Sequence, residues 1–205
     1  MLPAQSGNAE APSAAVAELA ETASPVWHTV LFVIFIAGAL ISLGFTFMSI
    51  LRVRQIVRRG EKIASSGKGQ MVVTEEKTAP FSWMKYIVLS REDYESDHEH
   101  ILTHERAHIA LGHSFDLLFV DLVTAMQWFN PAIWMLKSDL RALHEYEADD
   151  AVLRSGANIK EYQYLLIKKA VGKSGYSVAN SFNHSTLKNR ITMMSNKKSS
   201  RLSAW

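Results

Sequence analysis

Cysteine is absent from this sequence, and its absence excludes several classes of protein. Without thiols the chain cannot be a disulfide-stapled domain, a cysteine-dependent hydrolase or a cysteine-ligated zinc protein. A strong net charge is also missing, since 22 Lys and Arg against 20 Asp and Glu leave a formal charge of +2. Such a chain has no overall field to attract nucleic acid, so we expect no direct nucleic-acid binding. Eight histidines are present, so any metal site must combine histidine with carboxylates.

Charged residues are missing altogether from residues 22–51. The apolar part of this run, 26–51, exceeds the roughly 20 residues with which a helix crosses a bilayer. A buried core helix is the alternative, but soluble helices of this length normally carry charges. A cleaved signal peptide is disfavoured, because no basic residue precedes the run and the run is longer than the apolar region of a signal. We therefore predict a transmembrane helix at 26–51, with the lipid bilayer as a partner.

The two flanks of this predicted span differ in charge. Residues 1–25 carry three glutamates and no basic residue, whereas basic residues follow the span directly. These are Arg52, Arg54, Arg58, Arg59 and Lys62. Because basic residues collect on the cytoplasmic side, the pattern predicts a flexible extracytoplasmic segment at 1–25 and a basic cytoplasmic linker at 52–78. It also suggests a piece of a longer polytopic chain, with 197–205 as a tail that leads to a further span.

Beyond the linker the pattern changes from strand-like to helical. Stretches at 71–74 and 81–89 are typical of strands, and the chain from residue 96 onward is mostly helical in pattern. Ser96 and Glu99 fit a capping box that would begin a helix. The predicted fold class is therefore α+β and mostly helical, with one domain at 79–196.

That helix carries two histidines four residues apart, in the segment HERAH from residue 104. Residues four apart share one helix face, so His104 and His108 can both reach one zinc ion. Glu105 stands on the adjacent edge, where it is positioned to take a proton from a zinc-activated water. The pattern is rare by chance in a chain of this composition. A charged helix with surface histidines is the alternative.

A second predicted helix supplies carboxylates. Glu145 and Asp149 are four residues apart in the segment HEYEAD from residue 144. A catalytic zinc takes three protein ligands and leaves one position open. One of these carboxylates can be the third ligand, and the other can hold a ligand histidine by its second ring nitrogen. Glu147 points elsewhere and is interpreted as a surface carboxylate, and a solvated acidic face is the alternative for the whole cluster.

An apolar stretch at 115–136 separates the two motifs. A single membrane crossing here would put Glu145 on the opposite side from both histidines, and two crossings need more residues than are present. Pro131 interrupts the stretch and ends a helix before it. We therefore predict a helical hairpin, broken at Pro131, that is buried or lies against the bilayer.

Four segments occur in an order that resembles the BlaR/MecR antirepressor family of membrane zinc metallopeptidases, and especially its short Bacteroidetes-type forms. They are ILTHERAHIALGHSFD, QWFNPAIW, HEYEAD and SFNHSTLKNRI, and the resemblance covers residues 26–196. It implies a small gluzincin (zincin-like) domain facing the cytoplasm from a bacterial inner membrane. It further implies Zn²⁺ bound by His104, His108 and Glu145, with Glu105 as general base and Asp149 behind a ligand histidine. Neither a penicillin-binding sensor domain nor β-lactam sensing follows from these segments.

The predicted activity is zinc-dependent endopeptidase hydrolysis of a protein or peptide. We expect the substrate strand to pair with a sheet edge near residues 86–89, and a hydrogen-bond donor to stabilise the oxyanion. Candidates for that donor or for other substrate contacts are His113, Tyr146, His184 and Arg190. For each of them a structural role, packing or holding a helix, is the alternative.

The resemblance also bears on the substrate. It implies a signalling step in which the protein cleaves a transcriptional repressor or itself. A housekeeping protease that clears damaged membrane proteins is one alternative. A non-catalytic signalling module that keeps zinc only for stability is another.

Overall fold

The computed structural model of the protein describes residues 14–64, 67–96, 98–172 and 180–196. These residues form seven helices and one four-stranded sheet. The prediction of a mostly helical chain with a small sheet is therefore confirmed. The tail predicted at 197–205 lies outside the described residues.

Helix α1 runs from Ala14 to Arg59. Its part from Val26 to Arg59 is the one helix of the described chain that is long and apolar enough by itself to cross a membrane. The helix starts inside the segment predicted to be flexible and extends beyond the predicted span. Gly60 follows its last residue, at a position where any side chain would overlap Val72 of the sheet.

The sheet has the order β1-β2-β4-β3, with β2 parallel to β4 and the other pairs antiparallel. Its strands are β1 (Glu61–Ile63), β2 (Gln70–Thr74), β3 (Phe81–Trp83) and β4 (Tyr86–Ser90). The strand predicted at 71–74 is present as β2. β1 and β2 both lie within the predicted linker, so the sheet begins before residue 79.

A turn at Met84 divides the strand predicted at 81–89 into β3 and β4, and Met84 adopts a positive φ of 53°. The expectation that residues 86–89 form a sheet edge is wrong, because β4 lies between β2 and β3. Its residues are accordingly almost completely buried. β3 is the outer strand on this side.

The remaining helices follow the sheet. They are α2 (Arg91–Glu95), α3 (Glu99–Leu111), α4 (His113–Met126), α5 (Pro131–Arg154), α6 (Ile159–Gly172) and α7 (Asn180–Ser195). The predicted capping box is not formed. The Ser96 hydroxyl donates to the Asp93 carbonyl at the end of α2, and His98 precedes α3 without a side-chain cap. α3 ends at Gly112, whose φ of 78° is a left-handed conformation that glycine adopts readily.

Both faces of the sheet are covered. On one face Val73 and Leu89 pack against Ile101 and Leu102 of α3. On the other face Val72 and Val88 pack against Val57 at the end of α1. The sheet therefore connects the apolar helix to the helix that carries the histidine pair.

The predicted hairpin is present as α4 and α5. Asn130 caps α5 by accepting a hydrogen bond from the amide of Ala132, and Pro131 occupies the first turn, where its missing N–H costs nothing. α5 then continues unbroken beside α3, which brings the acidic segment of α5 to the histidines of α3.

Candidate metal centre

His104 and His108 on α3 meet Glu145 on α5. Each offers one ligand atom, and the three atoms lie within 4.8 Å of one another. The two Nε2 atoms are 3.2 Å apart, and the Glu145 carboxylate oxygens are 3.5 Å from His104 Nε2 and 3.8 Å from His108 Nε2. Zinc ligands at 2.0–2.1 Å with tetrahedral angles stand roughly 3.3 Å apart. The donor types and their spacing therefore fit a zinc ion with two histidines and one carboxylate.

Glu105 lines the same groove as these three residues and is buried. Burial raises the pKa of Glu105, against the opposing effects of His104 and of a hydrogen bond with Ser82 on β3. A carboxylate with a raised pKa is a better proton acceptor than a free one. It is the kind of group that a general base requires.

A charged cluster lies behind His104. His104 Nδ1 is 3.0 Å from the Tyr162 hydroxyl and 3.3 Å from Asp149 Oδ1, and Tyr162 donates to the same oxygen at 2.8 Å. Arg190 donates to both oxygens of Asp149, at 2.8 and 2.6 Å, and its Nη1 lies 2.7 Å from Glu145. Asp149 is 2% exposed, so this is a buried network in which every charge has a partner.

These contacts determine the protonation of the cluster. Burial lowers the pKa of His104, but hydrogen bonds with Asp149 and Glu145 outweigh it and raise the pKa to about 9. The pKa of Asp149 falls to about 2 because hydrogen bonds with His104 and Arg190 outweigh burial. The pKa of Glu145 also falls to about 2, since His104 and Arg190 likewise outweigh burial. Both carboxylates are thus ionised at neutral pH.

A chain of rings lies behind His108. Its Nδ1 is 2.7 Å from Nδ1 of His113, whose Nε2 is 3.0 Å from Glu147. The His113 ring stacks on His144 with centroids 3.8 Å apart, and His144 pairs with Asp116. One proton arrangement satisfies the chain: His108 Nδ1–H donates to His113, and His113 Nε2–H donates to Glu147. That arrangement leaves Nε2 of His108 with the lone pair that a metal needs.

His104, His108 and Glu145, here called the metal group, line a groove of about 1010 Å³. β3 and the two residues before it form one wall, and α3, α4, α5, α6 and α7 contribute the remainder. Within the described residues β3 pairs with a neighbour on one side only, so its other edge can receive a further strand.

The four remaining candidate residues have different positions. Arg190 and His113 both line the groove, and both ring nitrogens of His113 are engaged, by His108 and by Glu147. Tyr146 lines a separate, smaller cavity beside Arg154. The side chain of His184 lies outside the described residues.

The sequence alone did not identify two residues that contact the histidines of the site. Glu147 was interpreted as a surface carboxylate and is half exposed, yet it bonds to His113. Tyr162 comes from α6, and no spacing along the chain marks it. Only the packing of α6 against the metal group reveals it.

A family profile described as BlaR1 peptidase M56 matches residues 3–194 of the chain. No curated protein matches the chain. The matched range includes α1, the sheet and both helices that carry the metal group. The match is therefore to the molecule as a whole and not to the histidine motif alone.

Proposed function

Because this chain belongs to the BlaR1 peptidase M56 family of metallopeptidases, we propose that it is a membrane-anchored zinc endopeptidase. The observation that carries the proposal is the convergence of His104, His108, Glu145 and Glu105 in one groove beside an open strand edge. A zinc ion held by the first three residues would polarise the scissile carbonyl and acidify the attacking water. Glu105 accepts the proton of that water and then delivers it to the leaving amine.

The substrate is positioned by β3 and not by β4. An extended peptide that pairs with the outer edge of β3 would lie along the wall of the groove that Glu105 also lines. Ser82 on this strand is the hydrogen-bond partner of Glu105, so the strand that binds substrate also orients the base.

Arg190 is the oxyanion donor that we propose among the four candidates. A guanidinium carries five N–H groups, and the contacts with Asp149 and Glu145 engage three of its nitrogen atoms without using every hydrogen. Arg190 also lines the groove, where the remaining hydrogens can meet a carbonyl oxygen. Its partners hold it in place before substrate arrives.

We further propose that α1 spans a bacterial inner membrane with the peptidase domain on the cytoplasmic side. The charge asymmetry around α1 supports this orientation. By family resemblance the substrate is a transcriptional repressor or the protein itself. Attachment of a thiol reagent to a cysteine placed in residues 1–13, from outside intact cells, tests the orientation, and protection of that cysteine would reverse it.

Glu105→Gln tests the mechanism. We expect zinc binding to persist, since Glu105 is not among the three ligands, and cleavage of the protein itself and of unfolded casein to fall roughly 10²–10⁴-fold. Glu99→Gln, which changes an exposed glutamate on the same helix, is the matched control and should retain activity. Undiminished cleavage by Glu105→Gln would contradict the mechanism. Zinc binding without cleavage in the unaltered protein would instead favour a non-catalytic module.

A further inference from the structure

One face of α4 is apolar and exposed along its whole length. Phe115, Phe119, Leu122 and Met126 are 66%, 69%, 51% and 60% exposed. Their spacing of four, three and four residues aligns them in one stripe on the helix. α5 continues the surface with Met135 and Leu136, which are 68% and 55% exposed, and Trp134 beside them lines the groove. A surface of this extent is unfavourable in water.

The opposite face of α4 and the hairpin turn pack against α1. Trp128 donates from Nε1 to the carbonyl of Phe35 at 3.1 Å, and its ring occupies the place that a Cβ on Gly38 would take, 2.2 Å away. Gly38 and Thr46 belong to a partly buried face of α1, and Thr46 lies 3.5 Å from Asp121 of α4. Small residues of this kind let helices approach closely within a bilayer.

These contacts give the depth of the hairpin. Gly38 stands 14 residues before Arg52, the first charged residue after the apolar run. At 1.5 Å per residue this is about 21 Å, compared with a hydrocarbon core of about 30 Å. The 14 residues of α4 span the same distance. The turn at 127–130 therefore lies well past the level at which α1 leaves the apolar layer.

Several polar groups in the deep part of the hairpin have partners within the protein. Asp121 and Lys137 form an ion pair, and both side chains are less than one-fifth exposed. At the turn the Trp134 indole donates to the carbonyl of Trp128, and the Asn130 side chain bonds to Gln127 and caps α5. Non-helical backbone occurs at membrane depth where protein covers it and its groups are paired; the amides of Gln127 and Asn130 are paired within the turn, and Trp128 packs on α1.

We propose that α4 and α5 form a re-entrant hairpin, which enters the bilayer from the side of the peptidase domain and returns to that side. Lipid acyl chains cover its apolar stripe, and the metal group, whose His108 stands five residues before the start of α4 at His113, lies at the membrane surface. The proposal rests on the proposed function in one respect, namely that α1 crosses the bilayer. It adds that the groove faces substrates held close to the membrane.

Single cysteines test the proposal without background labelling, because the chain has none of its own. The variants Met126→Cys and Met135→Cys place a nitroxide on the stripe. Ile41→Cys marks α1 at a similar depth, and Lys160→Cys marks exposed α6. The full chain with zinc is reconstituted in vesicles of phosphatidylcholine and phosphatidylglycerol. The collision rates of each nitroxide with oxygen, which enters lipid, and with a nickel chelate, which stays in water, are then measured.

For each labelled residue the ratio of oxygen to nickel collisions is calculated. We expect this ratio to be higher at residues 126 and 135 than at residue 160. The factor should be the same as the one between residue 41 and residue 160. Water-like ratios at 126 and 135 beside a lipid-like ratio at 41 would overturn the hairpin and leave the membrane anchor intact. Low rates with both reagents at 126 and 135 would also overturn it, since protein would then cover the stripe. A water-like ratio at 41 would refute the anchor itself.

Discussion

The two histidines of the metal group lie one helical turn apart on α3, yet the residues behind them differ in kind. His104 is held by a buried ionic cluster of Asp149, Arg190 and Tyr162. His108 is held by the neutral ring of His113, which leads to the half-exposed Glu147. The same motif therefore supplies two candidate ligands of different character.

The pKa values express this difference. Contacts with carboxylates raise the pKa of His104 to about 9, whereas burial and the nearby charge of His104 lower the pKa of His108 to about 3. In the metal-free protein near neutral pH one histidine is protonated and the other is not. The comparison teaches that helical spacing defines where the ligands stand, while residues from distant helices define how strongly each one holds a proton.

The largest effect is expected from Asp149→Ala. The substitution leaves Arg190 with a single carboxylate partner in a buried position, and loss of half a buried ion pair costs roughly 3–5 kcal/mol. Because Glu145 still contacts Arg190, we expect a decrease in the free energy of unfolding near the lower end of that range. Denaturant unfolding of the metal-free protein in detergent measures it. Glu147→Ala is the corresponding change behind His108. An equal decrease in its free energy of unfolding would show that the residues behind His104 and His108 contribute equally to stability.

The second prediction concerns zinc and protons. The folded pKa of His104 lies above the ordinary value of 6.5, so protonated His104 stabilises the metal-free protein below pH 6.5, and this contribution disappears as the pH rises through about 9. Zinc must displace that proton, so we expect zinc affinity to rise about tenfold per pH unit between pH 7 and 9. His108 releases no proton between pH 7 and 9, because its pKa of about 3 leaves it already neutral there.

Competition with a chelator at several pH values gives the affinity. Calorimetry in buffers of different ionisation enthalpy counts the released protons. Asp149→Asn removes a contact that raises the pKa of His104 and should flatten the dependence. Affinity that does not vary with pH, or release of two protons, would show that the two histidines are alike.

The third prediction concerns His113→Phe, which keeps a ring against His144 but removes the nitrogen that meets His108. Loss of such an outer partner costs about 10–100-fold in metal affinity, and we expect the lower end because the His108 side is neutral. The visible spectrum of the cobalt-substituted protein should change as well, and His113→Gln should restore part of the affinity. His98→Phe is the control. Unchanged affinity and spectrum in His113→Phe would reduce His113 to a packing residue.

The smallest effect is expected from Tyr162→Phe. It removes one hydrogen bond to Asp149, which is worth about 1 kcal/mol of unfolding free energy. Since Asp149 still faces His104 Nδ1, zinc affinity should change little. Thermal unfolding with and without zinc measures both quantities. A tenfold or greater loss of zinc affinity, about that expected for an outer partner of a ligand histidine, would mean that Tyr162, and not the carboxylate, orients His104.

The metal group was predictable because its members follow helical spacing. His104 and His108 share a face of α3, and the packing of α5 against α3 brings Glu145 to them. The position of β4 in the middle of the sheet was not predictable. The chain passes from β2 to β3 at the outer edge before β4 returns to lie between them, parallel to β2. The role of Tyr162 depends on α6 folding back on α3. Such pairings arise from tertiary contacts and leave no periodicity in the sequence.

Helix α5 has a mechanical consequence. It is unbroken from Pro131 to Arg154, about 36 Å at 1.5 Å per residue. Its first turn follows the Trp128 loop that rests on Gly38 of α1, and Glu145 stands 14 residues further along, about 21 Å at the same rise. The two histidines belong instead to α3, which is packed on the sheet. Because Val57 at the end of α1 packs on the other face of the same sheet, α1 reaches the coordination triangle by two routes, through α5 to Glu145 and through the sheet to the two histidines.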